Sequence, residues 1–265
     1  MFKDNYIPEN ELSALYSHTD YYSNTDSESV AQGEINVRKD YAYALRVIRS
    51  QFQGGQVLDI GCSTGLFLAL LDDRYIKHGV ELSEAARVRA RDRGINIIGK
   101  SVGELVSTDR AYDVITLFDV IEHIPYPVMS LNVLVRMLKT EGIILISTGN
   151  TSALTWKLML NSYWYYLPEH VCFFNKKWFK WYASQQRLKV IHSLKYSHVA
   201  SGLKNRASSL IYALMYFLYN KLSGMPLLGS LFVGLYPINK VKYWHCPPRT
   251  YSWKDHILIV LQKCN

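Results

Sequence analysis

Cysteine, proline and, over the second half of the chain, acidic residues are all scarce in this sequence of 265 residues. The four cysteines, at 62, 172, 246 and 264, form no C-x-x-C pair and no metal-finger spacing. That excludes a zinc site built from them and points to reduced thiols in a cytosolic setting. An export signal is also missing: the opening "MFKDNYIPENEL" carries acids where such a signal needs an apolar core, so the catalytic part is expected in the cytoplasm. There is no internal repeat and no low-complexity tract. With 49% hydrophobic and 20% charged residues, whole-chain disorder is excluded and the length fits one large domain, or one domain with an insertion.

The shortage of acids is sharply localised. Residues 1–150 hold 15 Lys and Arg against 20 Asp and Glu, net −5, whereas residues 151–265 hold 15 against 2, net +13. A basic half that is also rich in Tyr, Trp and Leu suits an anionic surface, whether lipid headgroups, a phosphorylated substrate or nucleic acid, or it is a solvated basic face.

Residues 1–36 are polar and tyrosine-rich without apolar periodicity and read as an arm or lid. Val37, Tyr41, Ala44, Leu45 and Ile48 then recur at helical spacing, and Gly54-Gly55 ends that helix. Apolar runs of strand length follow at Val57–Ile60, Ile76–Val80, Ile95–Ile98, Val114–Phe118 and Ile143–Ser147. Between them, Ser83 caps a helix that Gly94 terminates, and a second helix spans about Val128 to Leu138 before a turn at Glu141-Gly142. Repeated βα units of this kind predict an α/β fold, a parallel sheet with helices on both faces. Two later strands are expected at Lys189–His192 and His256–Lys263, and Asn175, with Phe174 before it, at the start of another helix.

The turn after the first strand, "VLDIGCSTG", is the most informative stretch. A glycine turn between strand and helix lets a ligand approach the backbone. A dinucleotide site would want G-x-G-x-x-G. Here Gly61 and Gly65 lack the middle glycine, and Asp59 precedes them, a carboxylate that repels phosphate and suits a cation.

These residues resemble the first motif of class I S-adenosylmethionine-dependent methyltransferases, and further motifs follow in the family's order: "GVELS", "SVGEL" and "YDVITLFDVIEHIPYP". The likeness covers about residues 40 to 195 plus the last strand. Within the superfamily it is greatest to the subgroup of ubiquinone-biosynthesis O-methyltransferases and bacterial small-molecule and glycan methyltransferases, which share the "EH" after the fourth strand and a segment like "PEHVCFF". The resemblance implies a Rossmann-like doubly wound sheet, mostly parallel with an antiparallel last strand, in a methyltransferase domain over residues 37–265. It implies S-adenosyl-L-methionine as cofactor, held by Asp59, Gly61, Cys62, Gly65, Glu81, Leu82, Glu104, Phe118 and Asp119. Glu81 would accept the ribose hydroxyls, and Glu104 would lie near the adenine.

For catalysis His123 is the expected base, oriented by Glu122, with His170 in the substrate wall; either could instead be an ordinary surface or loop residue. Asp119, Glu122 and His123 could also form a divalent-metal site, but the relatives often have Glu at the Asp119 position, so a metal is not favoured. Trp156, Tyr163, Trp164, Tyr165 and Tyr166 form an aromatic patch, core or substrate platform. Nucleic acid is the alternative acceptor, against which "FDVIEH" stands where base-amine enzymes show an Asn- or Asp-Pro-Pro-aromatic motif. A non-catalytic cofactor-binding homologue is the other alternative.

An insertion, residues 197–255, is expected before the last strand. Its apolar part, 207–238, has one charge, Lys221, and is broken by Gly224 and Pro226. It is too interrupted for the roughly 20 apolar residues of a spanning helix. It reads either as an interfacial element of a peripheral membrane protein, flanked by Lys204, Arg206, Lys240, Lys242 and Arg249, or as a helical subdomain or dimer interface.

Overall fold

In the computed structural model the described residues are 38–107, 109–159, 163, 165–167, 169–197, 203–222 and 254–264. The arm 1–36, most of 197–255 and Trp164 lie outside them. The chain runs α1 (Lys39–Gln51), β1 (Gly55–Ile60), α2 (Leu66–Ala69), β2 (Tyr75–Val80), α3 (Glu84–Asp92), β3 (Asn96–Gly99), β4 (Tyr112–Phe118), α4 (Pro127–Arg136), β5 (Leu138–Gly149), α5 (Leu154–Met159), α6 (Lys176–Gln185), β6 (Leu188–Tyr196), α7 (Leu203–Leu222) and β7 (His256–Lys263). Single 3₁₀ turns at Val102–Leu105 and Ile121–His123 follow β3 and β4.

The strands form one sheet in the order β3-β2-β1-β4-β5-β7-β6. β1 to β5 pair in parallel, and β7 runs antiparallel to both of its neighbours. The central strands read as nearly continuous apolar runs because helices cover both faces. Alternation sorts their side chains between two cores. Leu58, Ile115, Leu117, Ile144, Ile146, Ile257 and Ile259 join Leu131 and Leu134 of α4 and Phe179 and Tyr182 of α6. Val57, Val114, Ile143, Leu145, Leu258 and Val260 join Ala44, Leu45 and Ile48 of α1 with Phe67 and Leu68. At about 1.5–3 kcal/mol for each large side chain fully buried, these two layers can carry several buried charges at one end of the sheet.

Local chemistry sets the helix ends. The Ser83 hydroxyl accepts the Ala86 N–H. Asn175 Oδ1 accepts those of Lys177 and Trp178, at 2.9 and 3.1 Å, and the Phe174 ring lies 5.7 Å from Phe179 across the first turn, a staple of the expected kind. One boundary differs from the sequence pattern. α4 stops at Arg136, and Leu138 already pairs with Tyr112; the register then jumps to Val114 opposite Ile143. The bend at Glu141, φ 62°, therefore lies inside β5. Helical spacing of apolar residues cannot tell a last helical turn from the first residues of a strand that leads into a bulge.

The strand order reverses between β1 and β4, since β2 and β3 lie to one side and β5 to the other. In open α/β sheets the crevice beyond the carboxyl ends of two such strands is where ligands bind. Here it is bounded by the residues after Ile60 and after Phe118.

Candidate active site

Two glycines in the left-handed region shape the turn after β1. Gly61 has φ 68° and Gly65 φ 80°. A Cβ on Gly61 would fall 2.4 Å from Val120 Cγ2, and one on Gly65 2.9 Å from Ile95 Cγ1. Conformation and close approach both exclude a side chain there. The Gly61 and Cys62 N–H groups donate to the Val80 carbonyl at 2.8 and 3.1 Å, and that of Gly65 to the Cys62 carbonyl. The Ser63 N–H donates to Glu81 at 2.9 Å. These amides are engaged inside the protein, whereas a pyrophosphate cradle needs them turned toward the ligand.

Carboxylates line the turn instead. Asp59, 2% exposed, accepts a hydrogen bond from the Thr116 hydroxyl at 2.7 Å. Burial pushes its pKa up to about 7; the Thr116 bond and Arg38 pull it down and Glu81 pushes it further up. Glu81, also buried, accepts the N–H groups of Ser63 and Ser83 and so is fixed beside the turn. The Cys62 side chain points into the protein, since its Sγ would lie 2.5 Å from a Cβ at Gly79; its main chain faces the turn. Leu82 is half-buried and gives its carbonyl to Arg87. Glu104, exposed beyond β3, accepts the Lys100 N–H. The Phe118 ring packs against Tyr41 and Phe67, at 4.8 and 4.6 Å.

Asp119, at φ 54°, is not one of the residues whose ligand-type atoms converge with those of Glu122 and His123 among the described residues. It takes a hydrogen bond from Arg38 at 2.5 Å and one from Ser147 at 3.2 Å. Arg38 also donates to Asp40 at 2.6 Å and lies over the Tyr41 ring. Asp40 is fully buried and accepts the Tyr196 hydroxyl, and the single Ser147 proton is shared between Asp40 and Asp119. Arg38 and Asp40 escaped sequence reading: one basic and one acidic residue at the start of a helix give no signal of their own.

The Ile121–His123 turn carries the remaining expected residues. Glu122 is buried, its Oε1 bonded by the Tyr165 hydroxyl and its Oε2 by Thr148 at 2.9 Å. Burial, with Asp119 nearby, pushes its pKa up to about 7. Its carbonyl accepts the Val171 and Cys172 N–H groups, which ties the "EH" turn to the "PEHVCFF" segment. His123 Nδ1 lies 3.1 Å from the Glu169 carbonyl and His170 Nδ1 2.7 Å from the Tyr165 carbonyl. A carbonyl only accepts, so in both rings Nδ1 carries the proton and Nε2 the lone pair. Burial and then His170 lower the His123 pKa to about 3, and burial lowers that of His170; both rings are neutral at physiological pH. They meet at 4.6 Å.

Ligand-type atoms of Glu122, His123 and His170 lie within 4.8 Å of one another, so His170 occupies the place given to Asp119 in the sequence reading. The single carboxylate of this trio is already spanned by two hydroxyls, and the cluster is held together by hydrogen bonds. Next to it, Trp156, Tyr163, Tyr165 and Phe173 form a third, aromatic core with Ala213 of α7.

A crevice at the switch point of a doubly wound sheet, with acids rather than outward amides at its glycine turn, defines a Rossmann-like protein built for a cationic ligand. The profile described as "Methyltransferase domain" matches residues 36–193, and the chain belongs to that family. It is 29% identical over 131 residues to a ubiquinone biosynthesis O-methyltransferase of Histophilus somni, covering 44% of this chain and 55% of that protein. The chain spans about half the length of the curated relatives it matches. Among solved structures, a SAM dependent methyltransferase from Archaeoglobus fulgidus superposes with a TM-score of 0.51 at 18% identity, covering 84% of this chain and 92% of that one. The plantazolicin methyltransferase BpumL, in complex with a triazolic desmethylPZN analog and SAH, does so with 0.56 at 15% identity, covering 96% and 95%. These share the fold, and S-adenosylmethionine is the cofactor of the class.

The buried acid gives a stability test. Unfolded, Asp59 titrates near 3.9; folded, it titrates at about 7. Between those values the folded state holds a proton that the unfolded state has lost, so this contribution to stability falls as pH rises from 4 to 7 and stays low above. Asp59→Asn keeps an acceptor for Thr116 without the charge. It is expected to raise stability by about 4 kcal/mol at pH 8 and by little at pH 4, measured by denaturant unfolding; equal stability at pH 8 would contradict the raised pKa.

Proposed function

We propose that the protein transfers the methyl group of S-adenosylmethionine to an oxygen of a hydrophobic small molecule, lipid-linked or glycan in nature. The observation that carries this reading is His123 in the turn after β4, its ring fixed by the Glu169 carbonyl and set against His170, which packs on Tyr165 of the aromatic core. When bound, S-adenosylmethionine supplies a methyl group on a positively charged sulfur, which leaves as a neutral thioether when an acceptor lone pair takes the carbon.

The residues present fit that cofactor. Asp59 supplies the negative charge for its ammonium group, Glu81 the acceptors for ribose hydroxyls, and Arg38 a guanidinium for its carboxylate. Gly61 and Gly65 hold the turn, the main chain of Cys62 and Leu82 lines it, Phe118 and Asp119 close the far side, and Glu104 stands near the base. Alignment alone is worth much in such a displacement, about 7–11 kcal/mol in favourable cases.

His123 Nε2 takes the acceptor's proton. A hydroxyl becomes strongly acidic as its oxygen gains the methyl, so a base of low proton affinity suffices, and this one is never lost to protonation in the physiological range. Glu122 holds the turn that presents His123, and His170 forms the adjoining wall. The name of the Histophilus somni relative supports an oxygen acceptor. Nucleic acid is not favoured, because "FDVIEH" stands where base-amine enzymes carry their motif.

The helical segment before β7 supports an apolar or lipid-linked acceptor. No described helix is long and apolar enough to cross a membrane. Leu154 and Leu158 of α5 and Ile211, Tyr212 and Leu214 of α7 are nevertheless exposed, and Lys157, Lys204 and Lys221 lie on the same two helices. Each basic group near an anionic surface adds about 1 kcal/mol. A peripheral contact of this face with anionic lipid would deliver acceptor beside the aromatic core.

Two experiments test these readings. With labelled S-adenosylmethionine and an o-diphenol such as 3,4-dihydroxybenzoate, the wild type is expected to form labelled product. His123→Gln should lower kcat about 100-fold while the KM for the donor stays within about twofold; donor binding without transfer to the diphenol or to any membrane fraction would instead indicate a non-catalytic homologue. In sedimentation with phosphatidylglycerol vesicles, the double variant Ile211→Ser, Leu214→Ser is expected to lose most of its binding, and unchanged partitioning would remove the lipid reading.

A further inference from the structure

β7 brings a second buried acid–imidazole pair to the same end of the sheet. Because it runs antiparallel, its first residue, His256, pairs with Gly149 at the end of β5 and with Tyr196 at the end of β6. Asp255 and His256 are 1% and 2% exposed. Asp255 Oδ1 lies 3.1 Å from His256 Nδ1, and a carboxylate accepts, so the ring is tethered through its Nδ1–H. Asp255 Oδ2 takes the Tyr163 hydroxyl at 2.8 Å, and its carbonyl takes the Asn150 N–H at 2.7 Å. The pair is thus fixed from the aromatic core on one side and from β5 on the other.

What it supports is Tyr165. The His256 ring meets Tyr165 edge-on, centroids 5.4 Å apart at 81°. Tyr165 in turn touches two of the expected catalytic groups, Glu122 and His170. Its hydroxyl donates to Glu122 and accepts the Gly149 N–H, and its carbonyl sets the His170 tautomer. Its ring lies 4.3 Å from that of His170, which contacts His123. Desolvation works against a charge on His256, but the Asp255 bond and the nearby Asp119 and Glu122 outweigh it and raise its proton affinity.

We propose that Asp255 and His256 form a positioning unit that locks Tyr165, and through it His170 and Glu122, in the geometry needed on the acceptor side of the site. This rests on the methyltransferase reading above. The unit's ring contact with Tyr165 leads to the acceptor side of the site, so its loss should lower turnover more than donor binding.

The test uses the full chain and two variants: His256→Asn, which keeps an amide N–H near Asp255 but removes the ring edge against Tyr165, and Asp255→Asn, which leaves the ring and releases it. Imidazole ¹⁵N NMR reports the tautomers of His123 and His170 without any acceptor. In each variant that retains the wild-type unfolding midpoint, the His170 signals should depart from the Nδ1–H pattern. With the o-diphenol probe, kcat should fall by about 10- to 100-fold while SAH affinity by calorimetry changes less than about twofold. Unchanged His170 signals in both folded variants, or equal losses of kcat and SAH affinity, would overturn the positioning role. If the wild type fails to methylate the probe, the acceptor reading fails alone, and the NMR outcome still decides this one.

Discussion

The arrangement at the carboxyl ends of the strands depends on one unfavourable interaction: a carboxylate, Asp59, taken almost wholly out of water with a hydroxyl for its hydrogen-bond partner. Arg38 acts on it through space, while its own hydrogen bonds go to Asp40 and Asp119. Proteins retain such groups where a ligand makes use of them, and a cationic ligand is the one that turns this liability into affinity. The rest of the crevice is consistent with that. Its turn directs its amides inward, and its neighbours Glu81 and Asp119 add further negative charge.

The two ends of the cofactor crevice are held differently. On the β1 side the geometry is set by backbone: left-handed glycines, a shared carbonyl at Val80 and the Glu81 bonds to Ser63 and Ser83. On the β4 side it is set by side chains, in a network that runs from Arg38 and Asp40 through Ser147 and Tyr196, and from Glu122 through Thr148 and Tyr165. Backbone turns are rigid and specified locally. Side-chain networks depend on elements distant in sequence, and here they bring together α1, the turn after β4, β5 and β6.

That contrast explains what could be read from the amino-acid order. The strands were legible because each central one is a nearly continuous apolar run, and the donor turn because Asp59, Gly61 and Gly65 stand within seven residues. Glu122, His123 and His170 were legible as residues of interest, yet not which of them meet. Asp119 turns to Arg38, 81 positions earlier in the chain, and His170 takes its place beside His123. Likewise "HILIVLQK" announces a strand, but that its first residue, His256, forms a buried pair with Asp255 beside Tyr165 follows only from the antiparallel register opposite Gly149. The end of α4 was misplaced for a related reason: Leu138 satisfies a helical stripe in sequence, while in space it pairs with Tyr112.

The most direct measurement is calorimetric titration with S-adenosylmethionine in buffers of different ionisation enthalpy between pH 6 and 8. Saturable binding is expected, with up to one proton released per donor below pH 7 as Asp59 becomes fully charged beside the incoming cation, and with affinity rising toward pH 8. No uptake of the donor by folded protein, together with saturation by NAD or another pyrophosphate nucleotide, would contradict it.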